Sequence, residues 1–381
     1  MHSSSRAGTE ATTGENPQAR RATLDYCPSL TGARGFAAAW VLLFHLWQFQ
    51  GQPYVGIGPL DLTPFFACGY FGVDLFFVLS GYLLALPFLR ARLNTAPSPH
   101  LGTFWKNRCR RVLPAYLVQL ALLAGIAAWR GKGLSPQDLL THLTLTFNFF
   151  DNTSALNPVY WSMPVEWDFY ILLPLLALGF ARPSGLPWML PAAILFSVSF
   201  RVLCMKALTA WGMDGLSYYR WIIQLPARID EFAFGMTAAW LVLSGYGRPA
   251  RRLAGPFGFL IALSLMILVA PLGDIFAHAR TPWIYVQSPL LGISAASLIL
   301  ALVLNPSGLA ARILSTRPAL FLGTISYSLY LWHHPILEWL QSLRGAPLSG
   351  VAFALGAALA CILAASLSYF LVESRFLKHQ A

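Results

Sequence analysis

The sequence predicts an all-α, polytopic membrane protein of about ten transmembrane helices with both termini cytoplasmic. Three observations carry that prediction. Only 11% of the 381 residues are charged and 56% are hydrophobic, against about 25% charged in soluble domains. Apolar runs of roughly the 17–25 residues a helix needs to cross a bilayer recur along the chain. Basic residues alternate unevenly between those runs. With the N-terminus inside, eighteen of the 26 Lys and Arg lie on the inner side, as the positive-inside rule requires. The net charge of +11 therefore reads as topogenic. The expected surface partner is the lipid bilayer, and no nucleic-acid partner is expected.

Residues 1–27 are polar and rich in Ser, Thr, Gly and Arg, the composition of a disordered cytoplasmic tail. The next apolar core starts near residue 36, too far from the first basic residues for a cleaved signal peptide, so a retained helix is expected. Within an integral-membrane domain over 28–373, helices are predicted at 31–50, 69–90, 111–129, 162–181, 187–206, 229–246, 256–272, 284–304, 319–341 and 349–373. A shorter apolar stretch at 139–150 reads as interfacial or re-entrant, and 374–381 as a second cytoplasmic tail. No internal repeat is visible, and no loop is long enough for a second domain. The five cysteines, Cys27, Cys68, Cys109, Cys204 and Cys361, form no C-x-x-C pair. His333 and His334 are adjacent, and no H-E-x-x-H spacing occurs. No metal site is predicted.

Ionisable residues inside membrane helices are costly and usually face the bundle interior. Here they cluster at one expected depth. Asp74 is five residues, about 7.5 Å, into the second span. His45 is five residues from the outer end of the first. Glu166, the pair Asp230 and Glu231 with Arg228 before them, and His333 with His334 fall in the same outer layer on three further helices. A histidine beside a carboxylate is the arrangement general-base catalysis uses. Proton-coupled transporters also use such groups, so the residues by themselves leave both chemistries open.

Six motifs in order point further. LTGARGFAAAWVLLFH holds Arg34 and His45, and YFGVDLFFVLSGY holds Asp74, Ser80 and Gly81. RCRRVLPAY holds Arg108, Arg111 and Pro114, and VYWSMPVEWDFYILLPLL holds Trp161, Ser162, Glu166 and Tyr170. RIDEFAFG supplies Arg228, Glu231 and Gly235, and ISYSLYLWHHPI supplies Ser326, Tyr327, Tyr330, His333 and Pro335. Over about Ser29 to Glu373 the chain resembles acyltransferase family 3, the multispan O-acyltransferases related to O-antigen acetylases. It departs where the family often has a glutamate followed two residues on by proline: Glu373 is followed by Ser374 and Arg375. No soluble esterase-like domain is expected after Glu373, although some members carry one.

The resemblance implies transfer of an acyl group, most often acetyl, from cytoplasmic acyl-CoA to a hydroxyl outside. The acceptor would be a glycan, a lipid-linked sugar or a secreted small molecule, and the location a bacterial inner membrane. His45 would be the general base or a transient acyl carrier, with Asp74 as its partner and Glu166 as the second candidate. Arg34 would hold a phosphate of CoA through its planar fork, about 16 Å along the helix from His45. Arg108 and Arg111, placed in the inner loop before the third span, would bind the adenosine phosphates. Ser162, Ser326 and Tyr327 would donate to an oxyanion, with Arg228, Glu231 and His333 as support. The alternative is a proton-coupled transporter or exporter that uses the buried His, Asp and Glu residues.

Overall fold

The computed structural model describes residues 27–93, 95–150, 156–180, 186–212, 215–244, 283–344 and 350–377. Helix α1 (Pro28–Phe49) starts on a proline at its first position, where the missing N–H has no intrahelical partner to lose. A small antiparallel hairpin, β1 (Gly56–Ile57) and β2 (Leu60–Asp61), follows. Then α2 (Thr63–Ala67) and a 3-10 turn at Gly69–Phe71 lead into α3 (Gly72–Arg92). Next come α4 (Leu101–Trp129), α5 (Pro136–Leu143), α6 (Ser162–Phe180), α7 (Leu186–Ala210), α8 (Gly215–Ile222) and α9 (Leu225–Leu243). The last described third holds α10 (Trp283–Leu304), α11 (Leu309–Leu314), α12 (Arg317–Thr324), α13 (Ser326–Arg344) and α14 (Val351–Ser368). α14 passes through a π turn, Tyr369–Glu373, into α15 (Ser374–Leu377).

Among the described residues, five helical stretches are long and apolar enough to cross a membrane: Gly69–Arg92, Leu101–Trp129, Trp188–Ala207, Gln287–Leu304 and Val351–Leu377. They expose large apolar side chains such as Leu195, Leu203, Leu359 and Leu363, which suit contact with lipid chains. The protein is an all-α integral membrane protein. His45 lies on α1, Asp74 on α3, Glu166 on α6, Arg228, Asp230 and Glu231 on α9, and His333 and His334 on α13. The helix predicted at 256–272 and the tails at 1–26 and 378–381 lie outside the described residues.

Two expectations need correction. The third span was placed at 111–129, yet α4 begins at Leu101. Arg108, Arg110 and Arg111 therefore lie on a helix and not in a loop. No Gly or Pro interrupts TFWKNRCRR, and the His100 side chain caps the start by accepting from Thr103 N. At 29 residues α4 is about 43 Å long, longer than the hydrocarbon layer of about 30 Å. The single helix expected over 319–341 is broken at Ile325, in a run of Gly and β-branched residues with low helix propensity. The 139–150 stretch, expected to be interfacial or re-entrant, overlaps the end of α5, which is about 12 Å long and too short to span. A capping box between Ser135 and Asp138 starts α5. Tyr116 Oη ties it to α4 by donating to His142 O (2.9 Å). Burial pushes the His142 imidazole below the ordinary histidine value.

α3 and α9 run in parallel and pack tightly. A Cβ at Gly81 would collide with the backbone of Phe232, and one at Gly235 with the backbone of Val78. Gly235→Ala is expected to cost about 1–3 kcal/mol as overpacking, read as a lowered Tm in detergent; an unchanged Tm would contradict the close packing. α1 runs alongside α12 through Gly35 and Gly323 in the same way, and α13 follows beside it. These two glycine seams set the positions of the polar residues.

Candidate active site

A cavity of about 120 Å³ opens between α1, α3, α4, α6 and α13. That volume admits several waters or a thin polar chain. Its cationic end is made by Arg34 on α1 with Arg108 and Arg111 on α4. Arg34 makes no hydrogen bond or ion pair among the described residues, and Arg108 Nε is buried without a partner. Arg111 is held: its Nη1 lies 3.0 Å from Glu373 Oε2, and its guanidinium stands 5.8 Å from the Tyr327 ring centre. Glu373 comes from the π turn, and Ser328 Oγ donates to its other oxygen. The extra residue of a π turn swings side chains off the helical register, which here aims Glu373 at α4.

Across the cavity, Ser80 Oγ donates to Glu166 Oε1 at 2.8 Å, and Tyr170 and Tyr327 line the wall. Tyr327 Oη donates to Val112 O (2.9 Å). Tyr330 closes the far end. Its hydroxyl donates to Val159 O (2.8 Å) and lies 2.8 Å from Ser162 Oγ. Ser162 and Tyr327 thus sit on the cavity, as their assigned role needs. Ser326 does not: it is buried at the start of α13, outside the lining, and its hydroxyl has no partner among the described residues.

The histidines form the next layer. The Tyr330 and His333 ring centres are 5.9 Å apart, and His333 Nε2 is 3.1 Å from His45 Nδ1. His45 Nδ1 is also 3.0 Å from Val41 O. The His334 ring stands edge-on to His45 at 5.2 Å, although His333 and His334 are adjacent in sequence. Both reach His45 because α13 passes beside α1 at this point. His334 Nδ1 is 3.4 Å from Glu338 Oε1.

Asp74 is not in this layer of contacts, which corrects its expected pairing with His45. Asp74 Oδ1 is 2.9 Å from Arg228 Nη1, which also bonds Glu231 Oε1 at 2.9 Å. The reason is azimuth. Asp74, Phe77 and Gly81 recur at helical spacing on the face of α3 that meets α9, where Phe77 stacks on Phe232 at 4.9 Å. Phe76 lies about 200° round the helix from Asp74 and meets Tyr330 of α13. Depth placed Asp74 near His45, but the helix turns it away.

The Asp74–Arg228–Glu231 group extends through Ser288, whose Oγ donates to Glu231 Oε1 (2.6 Å) and approaches Asp230. Arg201 Nη2 bonds Asp230 Oδ1 at 3.1 Å. This buried network ties α3, α7, α9 and α10. Arg228 also lies 5.5 Å from the Trp161 ring centre, so the motif tryptophan packs on a cation. Sequence reading missed Arg201 and Ser288 as network members and Glu373 as the partner of Arg111. The one available signal was an arginine within a predicted span, at Arg201.

The fold and site define a polytopic membrane protein with a cationic, tyrosine-lined cavity beside a contacting histidine pair. The family model described as acyltransferase domain matches residues 28–373, and the chain belongs to that family. It is similar to the O-acetyltransferase OatA of Staphylococcus aureus (27% identical over 341 residues, 83% of this chain and 51% of the relative). It is also similar to the putative peptidoglycan O-acetyltransferase YrhL of Bacillus subtilis (30% over 335 residues, 82% and 49%). A third relative is the peptidoglycan O-acetyltransferase OatA of Listeria monocytogenes (25% over 326 residues, 82% and 49%). The chain spans about half the length of these curated relatives. No solved structure matches it.

Proposed function

We propose that this protein is a membrane O-acetyltransferase that moves an acetyl group from cytoplasmic acetyl-CoA to a hydroxyl of a surface glycan. The observation that carries the reading is the cavity. It sets two cations with no ion-pair partner among the described residues, Arg34 and Arg108, at one end and ends at Tyr330 beside the histidines. The names of the curated relatives favour a glycan acceptor. About ten spans with both termini inside, and a bacterial inner membrane, complete the proposal.

In this mechanism Arg34, Arg108 and Arg111 hold the phosphates of the donor, and guanidinium forks suit that task. The thin thioester arm runs up the cavity past Tyr330, where the Ser162–Tyr330 hydrogen bond yields to it. His45 takes the proton of the acceptor hydroxyl. The alkoxide oxygen bonds the thioester carbonyl carbon, the C–S bond breaks, and the CoA thiolate takes up a proton. Ser162, released from Tyr330, is placed to donate to the oxyanion formed on the way. Asp74, Arg228 and Glu231 shape the outer part of the bundle and touch no reacting atom.

The test is release of free CoA from acetyl-CoA by the purified chain in nanodiscs, with and without soluble peptidoglycan oligosaccharides. Acceptor-dependent release is expected, with acetyl found on the sugar. Arg34→Ala should raise the KM for acetyl-CoA about tenfold or more, since a charge-assisted contact is worth roughly 1.5–3 kcal/mol. An unchanged KM with normal turnover would remove Arg34 from donor binding.

A further inference from the structure

We propose that His333 is a positioning residue: its Nε2 accepts a hydrogen bond from His45 Nδ1 and leaves His45 Nε2 as the free basic nitrogen. The inference rests on the reading of His45 as the base. It supplies the orienting partner that Asp74 does not provide.

The heavy atoms fix the direction of each bond. His333 Nδ1 is 3.1 Å from Leu329 O. A carbonyl oxygen only accepts, so that nitrogen carries the hydrogen. A neutral imidazole has one N–H, so His333 Nε2 bears a lone pair. That lone pair faces His45 Nδ1 at 3.1 Å, which also faces Val41 O at 3.0 Å. Two acceptors converge on one nitrogen, and His45 Nδ1 must be the donor to both. The remaining nitrogen, Nε2, is then the proton acceptor.

The pair works as a base with its orienter. When His45 takes the hydroxyl proton, its Nδ1–H becomes a cationic donor. The bond to His333 then becomes charge-assisted and stronger. The gain appears as charge develops, which is what lowers a barrier rather than merely binding substrate. His333 is 1% exposed, so water does not compete for its lone pair. The neighbouring polar groups leave this role to it. Asp74 is engaged by Arg228. His334 presents its ring edge-on to His45 and its Nδ1 to Glu338. The Tyr330 hydroxyl is committed to Ser162 and Val159. From α14, Cys361 approaches only the backbone carbonyl of His333. Among the described residues, no carboxylate bonds His45.

The test uses the full chain in nanodiscs, with acetyl-CoA and peptidoglycan oligosaccharides as probes. His333→Ala should lower kcat about 10- to 100-fold, the range for losing an outer-shell orienter, with the KM for acetyl-CoA unchanged. His333→Gln should recover most of that loss, because its amide oxygen can accept from His45 Nδ1. Equal losses in the two variants, or wild-type turnover in His333→Ala, would overturn the proposal. A second measurement needs no turnover. In protein carrying 15N-labelled histidine, NMR should detect coupling across the hydrogen bond from His45 Nδ1 to His333 Nε2. Both rings should appear with hydrogen on Nδ1. The opposite tautomer of His45, or no coupling, would also overturn it. Full activity in His45→Ala would instead sink the base assignment, leaving the hydrogen bond itself as a structural contact.

Discussion

Replacing His45 with alanine is expected to lower acyl transfer at least about 10²-fold, toward the limit of detection, since general-base catalysis contributes roughly 10²–10⁴. The protein should remain folded. His45 is half-buried near the C-terminal end of α1, and its ring bridges Val41 O and His333 without filling a closed core site. Alanine is a good helix former there. The measurement is free-CoA release beside acetyl transfer to the oligosaccharide, with size-exclusion behaviour as the folding control. A folded variant that transfers at the wild-type rate would remove His45 from the mechanism. A variant that still hydrolyses acetyl-CoA but no longer acetylates the sugar would place His45 on the acceptor side, as proposed.

The largest expected effect on stability belongs to Arg228. Its guanidinium is shared by Asp74 and Glu231, each 2.9 Å away, and both carboxylates are buried. Arg228→Ala would leave two acids facing each other in a low-dielectric site. Breaking a buried ion pair by removing one partner costs about 3–5 kcal/mol, so Tm in detergent should fall steeply or expression should collapse. Arg228→Lys should fall between, because one ammonium cannot match the geometry of the fork. Adding Asp74→Asn and Glu231→Gln to Arg228→Ala should restore much of the loss, since the stranded charges are gone. No recovery in that combination would mean that Arg228 acts through its packing on Trp161 and not through its charge.

Family and class were legible in the chain. Six ordered motifs carried the resemblance over about Ser29 to Glu373, and the family match covers 28–373. The helices were legible as long apolar runs, because the bilayer demands them. Their ends were less so. The basic run before Val112 looked like a loop because charge is expected outside the hydrocarbon, yet Lys and Arg continue a helix well. The cavity residues Arg34, Arg108, Arg111, Ser162, Glu166 and Tyr327 were named beforehand, and the fold brings them together. The Ser80–Glu166 bond, the Arg111–Glu373 pair and the Arg201–Asp230 pair link positions far apart in sequence, and no local pattern announces them.

Asp74 and His333 mark the boundary between the two sources. The sequence alone determined composition, span length, family and the list of unusual polar residues, because the hydrophobic period and the bilayer thickness act on the chain one helix at a time. It also placed Asp74 and His45 near one depth. Only the tertiary structure decided who meets whom. A helix turns 100° per residue, so two residues at one depth can face opposite neighbours. The glycine seam between α3 and α9 rotates Asp74 toward Arg228, and the seam of α1 against α12 carries His45 to His333. Azimuth is a property of packed pairs, and the pairing of helices is chosen by side-chain fit across the whole bundle.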